Sequence, residues 1–133
     1  CDRQREGLGL MARVLVADDD PKVLDVVSTF LKAAGHEVLV APDGAQACAV
    51  LDRGGIDVLI TDLNMPVLDG FGVKAHLATL PRPVPAIIVS GTWTAEEKKK
   101  ATTMGFERMY EKPADLNQLA IDVATLAPKR PKR

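Results

Sequence analysis

The sequence predicts an α/β fold of the doubly wound kind, in which a parallel sheet carries helices on both faces. Short strand-like runs alternate five times along the chain with segments whose apolar residues repeat at helical spacing. Aspartate or threonine stands where most helical segments begin, and glycine stands where several of them end. Five strand–helix units in succession are typical of a parallel sheet with right-handed crossovers.

The predicted strands are short and are bounded by turn residues, which favours strands buried on both faces. They cover Arg13 to Ala17, His36 to Ala41, Ile56 to Thr61, Ala86 to Ser90 and Arg108 to Glu111. The predicted helices follow them, beginning after the capping residue Asp20 with Pro21 at the first helical position. The later helices run from Asp43 to about Arg53, from about Gly70 to Leu80, from Thr94 to Met104, and onward from Asp115.

The composition is that of an ordinary soluble domain. The 133 residues suffice for one domain with a hydrophobic core, and 47% are hydrophobic and 26% charged. The net charge of -1 gives no general attraction to nucleic acid or membranes, and no apolar run approaches the roughly 20 residues that span a bilayer. Cys1 and Cys48 do not make a disulfide framework and no export signal is evident, so we predict a cytoplasmic protein.

The patterned part of the chain is flanked by two short segments without periodicity. Residues 1–11 are expected to be a flexible lead-in, a tag remnant or a linker, residues 12–126 the folded domain, and residues 127–133 a basic tail or linker. The basic residues of the tail could contact nucleic acid through charge. No DNA-reading element accompanies them, so direct nucleic-acid binding is not expected.

Charged and hydroxyl side chains stand at the ends of the predicted strands. Asp18 and Asp19 follow the first strand, Asp62 the third, Ser90 closes the fourth, and Lys112 follows the fifth. The first and third strands are neighbours in a doubly wound sheet, so these carboxylates should converge at the crevice outside its carboxyl edge. Like charges that close would repel one another unless a cation joins them. Carboxylate oxygens in an exposed crevice suit Mg²⁺.

These residue types together predict phosphoryl chemistry. An aspartate carboxylate can attack phosphorus and form an aspartyl phosphate, which gives Asp62 a role as the nucleophile. A cation and the Lys112 ammonium would offset the charge of the phosphoryl oxygens, and Ser90 would donate a hydrogen bond to one of them. No histidine base is required, because the carboxylate is already ionised at neutral pH.

Four motifs carry a resemblance to a known family. "VLVADDDP", "LITDLNMPVLDG", "IIVSG" and "EKP" occur in this order and at compatible intervals. With them the chain resembles the CheY-like receiver domain of two-component response regulators over about residues 12–126. The resemblance implies a flavodoxin-like three-layer sandwich with strand order 2-1-3-4-5. It also implies a signalling switch rather than an enzyme, which assists its own phosphorylation and dephosphorylation.

The resemblance implies a role for each residue near the cation. Asp62 would be the phosphorylation site and, with Asp19, a direct ligand of Mg²⁺. Asp18 would support the ion through water, and the backbone carbonyl of Asn64 would complete the protein ligands. The phosphoryl group would come from a phosphohistidine on a sensor histidine kinase or a histidine phosphotransfer protein.

Other family positions would shape the site and pass on its state. Lys112 would contact the phosphoryl group, Ser90 would move toward it, and the Lys112–Pro113 peptide is expected to be cis. Pro66 and Gly70 would shape the loop beyond the phosphoacceptor. The face formed by the fourth helix, fifth strand and fifth helix would then change its preference for a partner protein or an output domain. The chain would be either a stand-alone receiver or a piece of a longer regulator or hybrid kinase.

The sequence departs from the family at one position of the fifth strand. The family usually places tyrosine or phenylalanine three residues before the lysine, but here that residue is Met109, and Tyr110 comes one position later. Strand alternation should point these two side chains to opposite faces of the sheet. We therefore expect a modified switch that involves Ser90, Met109 and Tyr110, with a flexible methionine in place of the aromatic ring.

Two other functions compete with this interpretation. A metal-dependent phosphatase with an aspartate nucleophile usually needs an acid two positions after it, and Asn64 cannot shuttle a proton. A pseudo-receiver that only binds partners remains the other alternative, because Met109 alters the switch. Trp93 could face a partner or pack locally, and His36 and His76 are expected on the surface, away from the acidic cluster.

Overall fold

The computed structural model describes residues 12–128, which form a five-stranded parallel sheet with helices on both faces. The elements are β1 Arg13–Ala17, α1 Pro21–Ala33, β2 Glu37–Ala41, α2 Gly44–Arg53, β3 Val58–Asp62, α3 Gly70–Leu77, β4 Ala86–Ser90, α4 Ala95–Met104, β5 Arg108–Glu111 and α5 Leu116–Leu126. The strand order β2-β1-β3-β4-β5 confirms the predicted doubly wound fold. The predicted lead-in of residues 1–11 and the tail residues 129–133 lie outside the described residues.

The core has two apolar layers, one on each face of the sheet. Alternate residues of the buried central strands supply both layers, since successive side chains point to opposite faces. Leu59 of β3 and Ile88 of β4 belong to the layer under α2, α3 and α4. Ile60 and Val89 belong to the layer under α1 and α5. The central strands are buried throughout, so the polar side chains at their carboxyl ends lie at the rim of a closed core.

Each of the five described helices begins at a capping side chain. Asp20, Asp43, Asp69 and Asp115 accept hydrogen bonds from backbone N–H groups two or three residues later. Thr94 forms a capping box with Glu97 at the start of α4. Caps of this kind typically contribute about 1 kcal/mol each. The sequence predicted all of them except Asp69, which precedes the loosely predicted start of α3.

The bounds of three predicted elements and the position of one predicted surface residue need correction. β2 begins at Glu37 rather than His36, β3 runs from Val58 to Asp62 rather than from Ile56 to Thr61, and α3 ends at Leu77 rather than Leu80. His36 is only 7% exposed, and its Nδ1 accepts a hydrogen bond from the backbone N–H of Ala12 at 3.2 Å. The expectation of a surface position for His36 was wrong, because its imidazole is buried beside Ala12, the residue that precedes β1.

His76 is half-buried on α3, and its Nε2 lies 2.7 Å from an Asp52 carboxylate oxygen on α2. Both residues lie outside the acidic cluster that the sequence predicted. No helix within residues 12–128 is long and apolar enough to cross a membrane.

Candidate functional site

The carboxyl ends of β1, β3 and β5 bring two aspartates and a lysine together. The Lys112 Nζ donates to Asp18 Oδ2 at 2.9 Å and to Asp62 Oδ2 at 3.1 Å. Both aspartates are buried, while the lysine side chain remains 28% exposed. Asp62 is the last residue of β3, so the strand itself carries the carboxylate to the crevice. The convergence predicted from the strand ends is therefore present in the fold.

Asp19 adds a third carboxylate to the same crevice. Each of Asp18, Asp19 and Asp62 offers a carboxylate oxygen that lies within 4.8 Å of the others, and Asp19 is the exposed member. A single ammonium group cannot neutralise three carboxylates, so the cluster keeps an excess of negative charge. Several carboxylate oxygens converging at an open edge are the donor set that suits a hard divalent cation such as Mg²⁺.

The pKa of Asp62 reflects both its burial and the charges around it. Burial and the nearby Asp18 carboxylate raise the pKa of Asp62, and contacts with Lys112 and the Asn64 backbone N–H only partly offset them. Burial would lower the pKa of Lys112, but its hydrogen bonds to Asp18 and Asp62 outweigh that effect and raise it. The lysine is therefore held as a cation between two carboxylates. The ionised form of Asp62 is disfavoured by its burial and by the charge of Asp18.

The loop between β3 and α3 holds the backbone beside Asp62. Gly70 fits because a Cβ atom there would lie 2.6 Å from the Asp62 carbonyl oxygen, and its N–H donates to the Leu63 carbonyl at 2.8 Å. The Pro66 carbonyl accepts the Leu68 N–H at 2.8 Å and closes the tight turn. Val67 between them has φ of 72° and is 81% exposed, an unusual conformation for a β-branched residue.

α2 begins underneath this loop. A Cβ atom at Gly44 would lie 2.0 Å from the Leu68 carbonyl oxygen, so only glycine fits at that position. The loop therefore rests directly on the first turn of a neighbouring helix. This contact gave no signal in the sequence, because Gly44 and Leu68 meet only through the fold.

Ser90 and Lys112 lie at the ends of β4 and β5, as predicted. The Ser90 side chain is buried, and its hydroxyl donates to the Thr92 carbonyl at 3.1 Å and accepts the Thr92 N–H at 3.3 Å. The Lys112–Pro113 peptide is cis, as the resemblance implied.

The structure places Met109 and Tyr110 on opposite faces of the sheet, which confirms the prediction from strand alternation. Met109 pairs with Ile88 and is 42% exposed, so its side chain is on the α4 side and partly in solvent. Tyr110 pairs with Val89 and packs with the α1–α5 layer. Its hydroxyl donates to the buried Asp122 carboxylate on α5.

Trp93 packs locally, which was one of the two alternatives left open by the sequence. Its half-buried ring packs against the core layer under α2, α3 and α4. Its Nε1–H donates to the Tyr110 carbonyl at 2.8 Å. The loop between β4 and α4 is thereby attached to β5.

An apolar groove opens beside the acidic cluster, between α1 and the start of α5. Its volume is about 440 Å³, and Asp18, Asp62 and Lys112 are among its lining residues. The walls are mostly aliphatic, with Val23, Val26 and Leu116 among the lining residues. Asp62 and Lys112 therefore border a largely apolar surface.

These features together are those of a receiver domain, and comparison with known proteins gives the same result. A family model described as the response regulator receiver domain matches residues 14–124. The chain is 34% identical over 118 residues to the transcriptional regulatory protein PrrA of Mycobacterium tuberculosis, a match that covers 89% of this chain and 51% of PrrA. It is 31% identical over 114 residues to the sensor histidine kinase RcsC of Salmonella typhi, covering 86% of this chain and 12% of RcsC.

Solved structures agree with the sequence relatives. The receiver domain of a Francisella response regulator has a TM-score of 0.81 and 32% identity, covering 86% of this chain and 95% of that one. The chemotaxis protein CheY4 of Vibrio cholerae has a TM-score of 0.78 and 31% identity, covering 87% and 98%. The chain belongs to the response regulator receiver domain family, the CheY-like signalling switches of two-component systems. It spans about half the length of PrrA, with which its sequence match is among the strongest.

Proposed function

We propose that this receiver accepts a phosphoryl group on Asp62 from a phosphohistidine of a sensor histidine kinase or a histidine phosphotransfer protein. The observation that carries the proposal is the position of the Lys112 ammonium, within hydrogen-bond distance of both Asp18 and Asp62. Asp62 is buried at the end of its strand, with an excess of negative charge around it. The excess of negative charge favours the binding of a cation beside Asp62, and the cation would compensate the charge of the carboxylates.

In the proposed reaction, a carboxylate oxygen of Asp62 attacks the phosphorus of the phosphohistidine. A P–O bond forms as the P–N bond breaks, and the imidazole nitrogen keeps the electron pair of the broken bond. The Lys112 ammonium, already beside Asp62, would stabilise charge on the phosphoryl oxygens. The Ser90 hydroxyl would donate to one of these oxygens after leaving Thr92. Attack by water on the phosphorus would later return Asp62 to a free carboxylate.

The residues for the cation follow the family pattern. Asp19 and Asp62 would bind Mg²⁺ directly, the Asn64 backbone carbonyl would be the third protein ligand, and Asp18 would act through a water molecule. When bound, the ion would neutralise charge on the carboxylates and on the phosphoryl oxygens. The Asn64 backbone already contacts the Asp62 carboxylate through its N–H, which supports its place in this set.

The output surface proposed for the switch is the α4–β5–α5 face. α4 buries a single side chain, Ala101, so it has little packing to hold it in one position. Ser90, Met109 and Tyr110 would pass the state of Asp62 to this face. The relatives in which similar receivers occur are named as a transcriptional regulator and a sensor kinase, so a partner protein or an output domain is the proposed target.

The two competing functions are less well supported. A phosphatase of the aspartate type would need an acid two positions after Asp62, and Asn64 stands there. A pseudo-receiver would have no need for the complete set of acidic groups and Lys112 that converges at the strand ends.

The test is incubation of the protein with Mg²⁺ and acetyl phosphate, followed by intact mass measurement. Wild type should gain one acid-labile phosphoryl group, and Asp62→Ala should gain none. Asp52→Asn is the matched control, because this exposed carboxylate pairs with His76 outside the acidic cluster and should not affect labelling. Labelling that persists in Asp62→Ala would overturn the assignment.

A further inference from the structure

The Ser90 hydroxyl connects the acidic cluster to the loop of residues 91–94 between β4 and α4. The hydroxyl donates its proton to the Thr92 carbonyl and accepts the Thr92 N–H. A hydroxyl has one proton to donate. If Ser90 donates to a phosphoryl oxygen on Asp62, it must give up the Thr92 carbonyl. Phosphorylation would then replace the observed arrangement of the loop by one in which the Thr92 carbonyl is no longer bound by Ser90.

Trp93 carries the position of this loop to β5. It directly follows Thr92, and its indole N–H donates to the Tyr110 carbonyl at 2.8 Å. The ring is half-buried against the α2–α3–α4 layer. A displacement of Thr92 that moves Trp93 therefore also displaces the indole relative to β5. Trp93 is thus a direct link between the loop and the backbone of Tyr110.

Tyr110 continues the link to the opposite face of the sheet. Its hydroxyl donates to Asp122 of α5, which is only 6% exposed. Gln118 Nε2 also donates to Asp122 at 3.0 Å, and Arg108 Nε lies 3.7 Å away. Burial and Asp122 raise the pKa of Tyr110, so the phenol keeps the proton that it donates. Tyr110 is therefore held at its carbonyl by the loop and at its hydroxyl by α5.

We propose that Trp93 and Tyr110 couple the occupancy of Asp62 to α5, through the chain Ser90–Thr92–Trp93–Tyr110–Asp122. The inference rests on the proposed function of Asp62 and specifies how its state is transmitted. Release of Thr92 by Ser90 shifts Trp93, the shift displaces the Tyr110 backbone, and the Tyr110 hydroxyl transfers the displacement to Asp122. Trp93 and Tyr110 are positioning residues in this inference.

The chain offers its own probe, because Trp93 is the single tryptophan in the sequence. Beryllofluoride with Mg²⁺ serves as a stable mimic of the phosphoryl group. Two readouts separate the steps: Trp93 fluorescence reports the loop, and amide chemical shifts of residues 118–123 report α5. Amide shifts of residues 62–64 report occupancy of the site itself.

In wild type, all three readouts should change on titration. In Tyr110→Phe, which removes only the hydroxyl, the changes at residues 62–64 and at Trp93 should persist while those at residues 118–123 fall at least threefold. In Ser90→Ala, with residues 62–64 saturated, the Trp93 response should fall at least threefold. Asp52→Asn, on α2 and outside this chain of contacts, is the control, and it should leave all three responses in place.

An α5 response in Tyr110→Phe equal to that of wild type would overturn the inference, as would its loss in Asp52→Asn. These outcomes leave the proposed function untouched, because residues 62–64 still respond. Absence of any change at residues 62–64 in wild type would instead count against the proposed function.

Discussion

Asp62 and Asp122 are equally buried carboxylates, each 6% exposed, but their surroundings differ. Asp122 accepts hydrogen bonds from the neutral side chains of Tyr110 and Gln118 and lies beside one cation, Arg108. Arg108 therefore balances the charge of Asp122, and both of its carboxylate oxygens accept hydrogen bonds. Asp62 has one cation, Lys112, which it shares with Asp18.

The two carboxylates differ in how far their surroundings compensate their charge. A buried charge is tolerated when hydrogen bonds and a counter-charge surround it, which is the condition of Asp122. At Asp62, a second and a third carboxylate approach without a matching number of cations. Repulsion among these carboxylates lowers the stability of the folded protein. Binding of a positively charged species reduces this loss. The comparison therefore favours a structural role for Asp122 and is consistent with the chemical role proposed for Asp62.

Replacement of Lys112 should have the largest effect on the chemistry. Lys112→Met keeps the length of the side chain but removes the ammonium beside Asp62, so labelling by acetyl phosphate at saturating Mg²⁺ should slow by about a hundredfold or more. The rate is measured by intact mass against time. Lys22→Met, an exposed lysine that lines the groove but has no described contact with the carboxylates, is the control. Equal rates in wild type and Lys112→Met would contradict the role of the ammonium.

Replacement of Asp122 should have the largest effect on stability. Asp122→Ala leaves the Tyr110 hydroxyl and the Gln118 amide without their shared acceptor, so the free energy of unfolding should fall by about 2–3 kcal/mol. Urea denaturation in EDTA measures the change. If the variant were as stable as wild type, Asp122 would not be the structural member of the comparison.

Replacement of Asp62 should change the free energy of unfolding in the opposite direction. Asp62→Asn removes one of the repelling carboxylates, so in EDTA the free energy of unfolding should rise by about 1 kcal/mol. Adding Mg²⁺ should then stabilise wild type more than the variant, because a ligand that binds the folded state stabilises it by mass action. A destabilised Asp62→Asn protein in EDTA would show that the cluster is not strained.

The pH dependence of stability should show a smaller effect, which also arises from the burial of Asp62 beside Asp18. Burial and Asp18 raise the pKa of Asp62 in the folded state above its ordinary value of 3.8. A raised pKa means that the folded protein binds this proton more readily, so the contribution to stability is present at low pH and is lost as the pH rises through the folded pKa. In EDTA, the stability of wild type relative to Asp62→Asn should therefore increase as the pH falls from neutrality. Urea denaturation over this range measures it, and a constant difference would contradict the raised pKa.

Local sequence signals predicted the elements and the acidic cluster because both depend on strand position. The apolar runs before Asp18 and Asp62 identified buried strands, and parallel strands end at a common edge. The opposite faces of Met109 and Tyr110 followed from alternation alone. Even the errors at strand and helix boundaries left the ends of the site-bearing strands nearly unchanged.

The contacts between layers could not be predicted in the same way. The Tyr110–Asp122 bond, the Trp93–Tyr110 bond and the burial of His36 depend on which side chains meet after the elements pack. Periodicity gives the face of a residue but not its partner across the core. Asp122 has the helical spacing of an interior position, but a lone acidic residue in that position predicts neither burial nor its donors.

Reductive trapping identifies the phosphorylated residue itself. After reaction with acetyl phosphate and Mg²⁺, borohydride converts an aspartyl phosphate to homoserine, and peptide mass mapping locates the converted residue. Our expectation is homoserine at position 62, dependent on Mg²⁺ and strongly reduced in Lys112→Met. Conversion at another aspartate, or equal conversion at position 62 in EDTA, would contradict it.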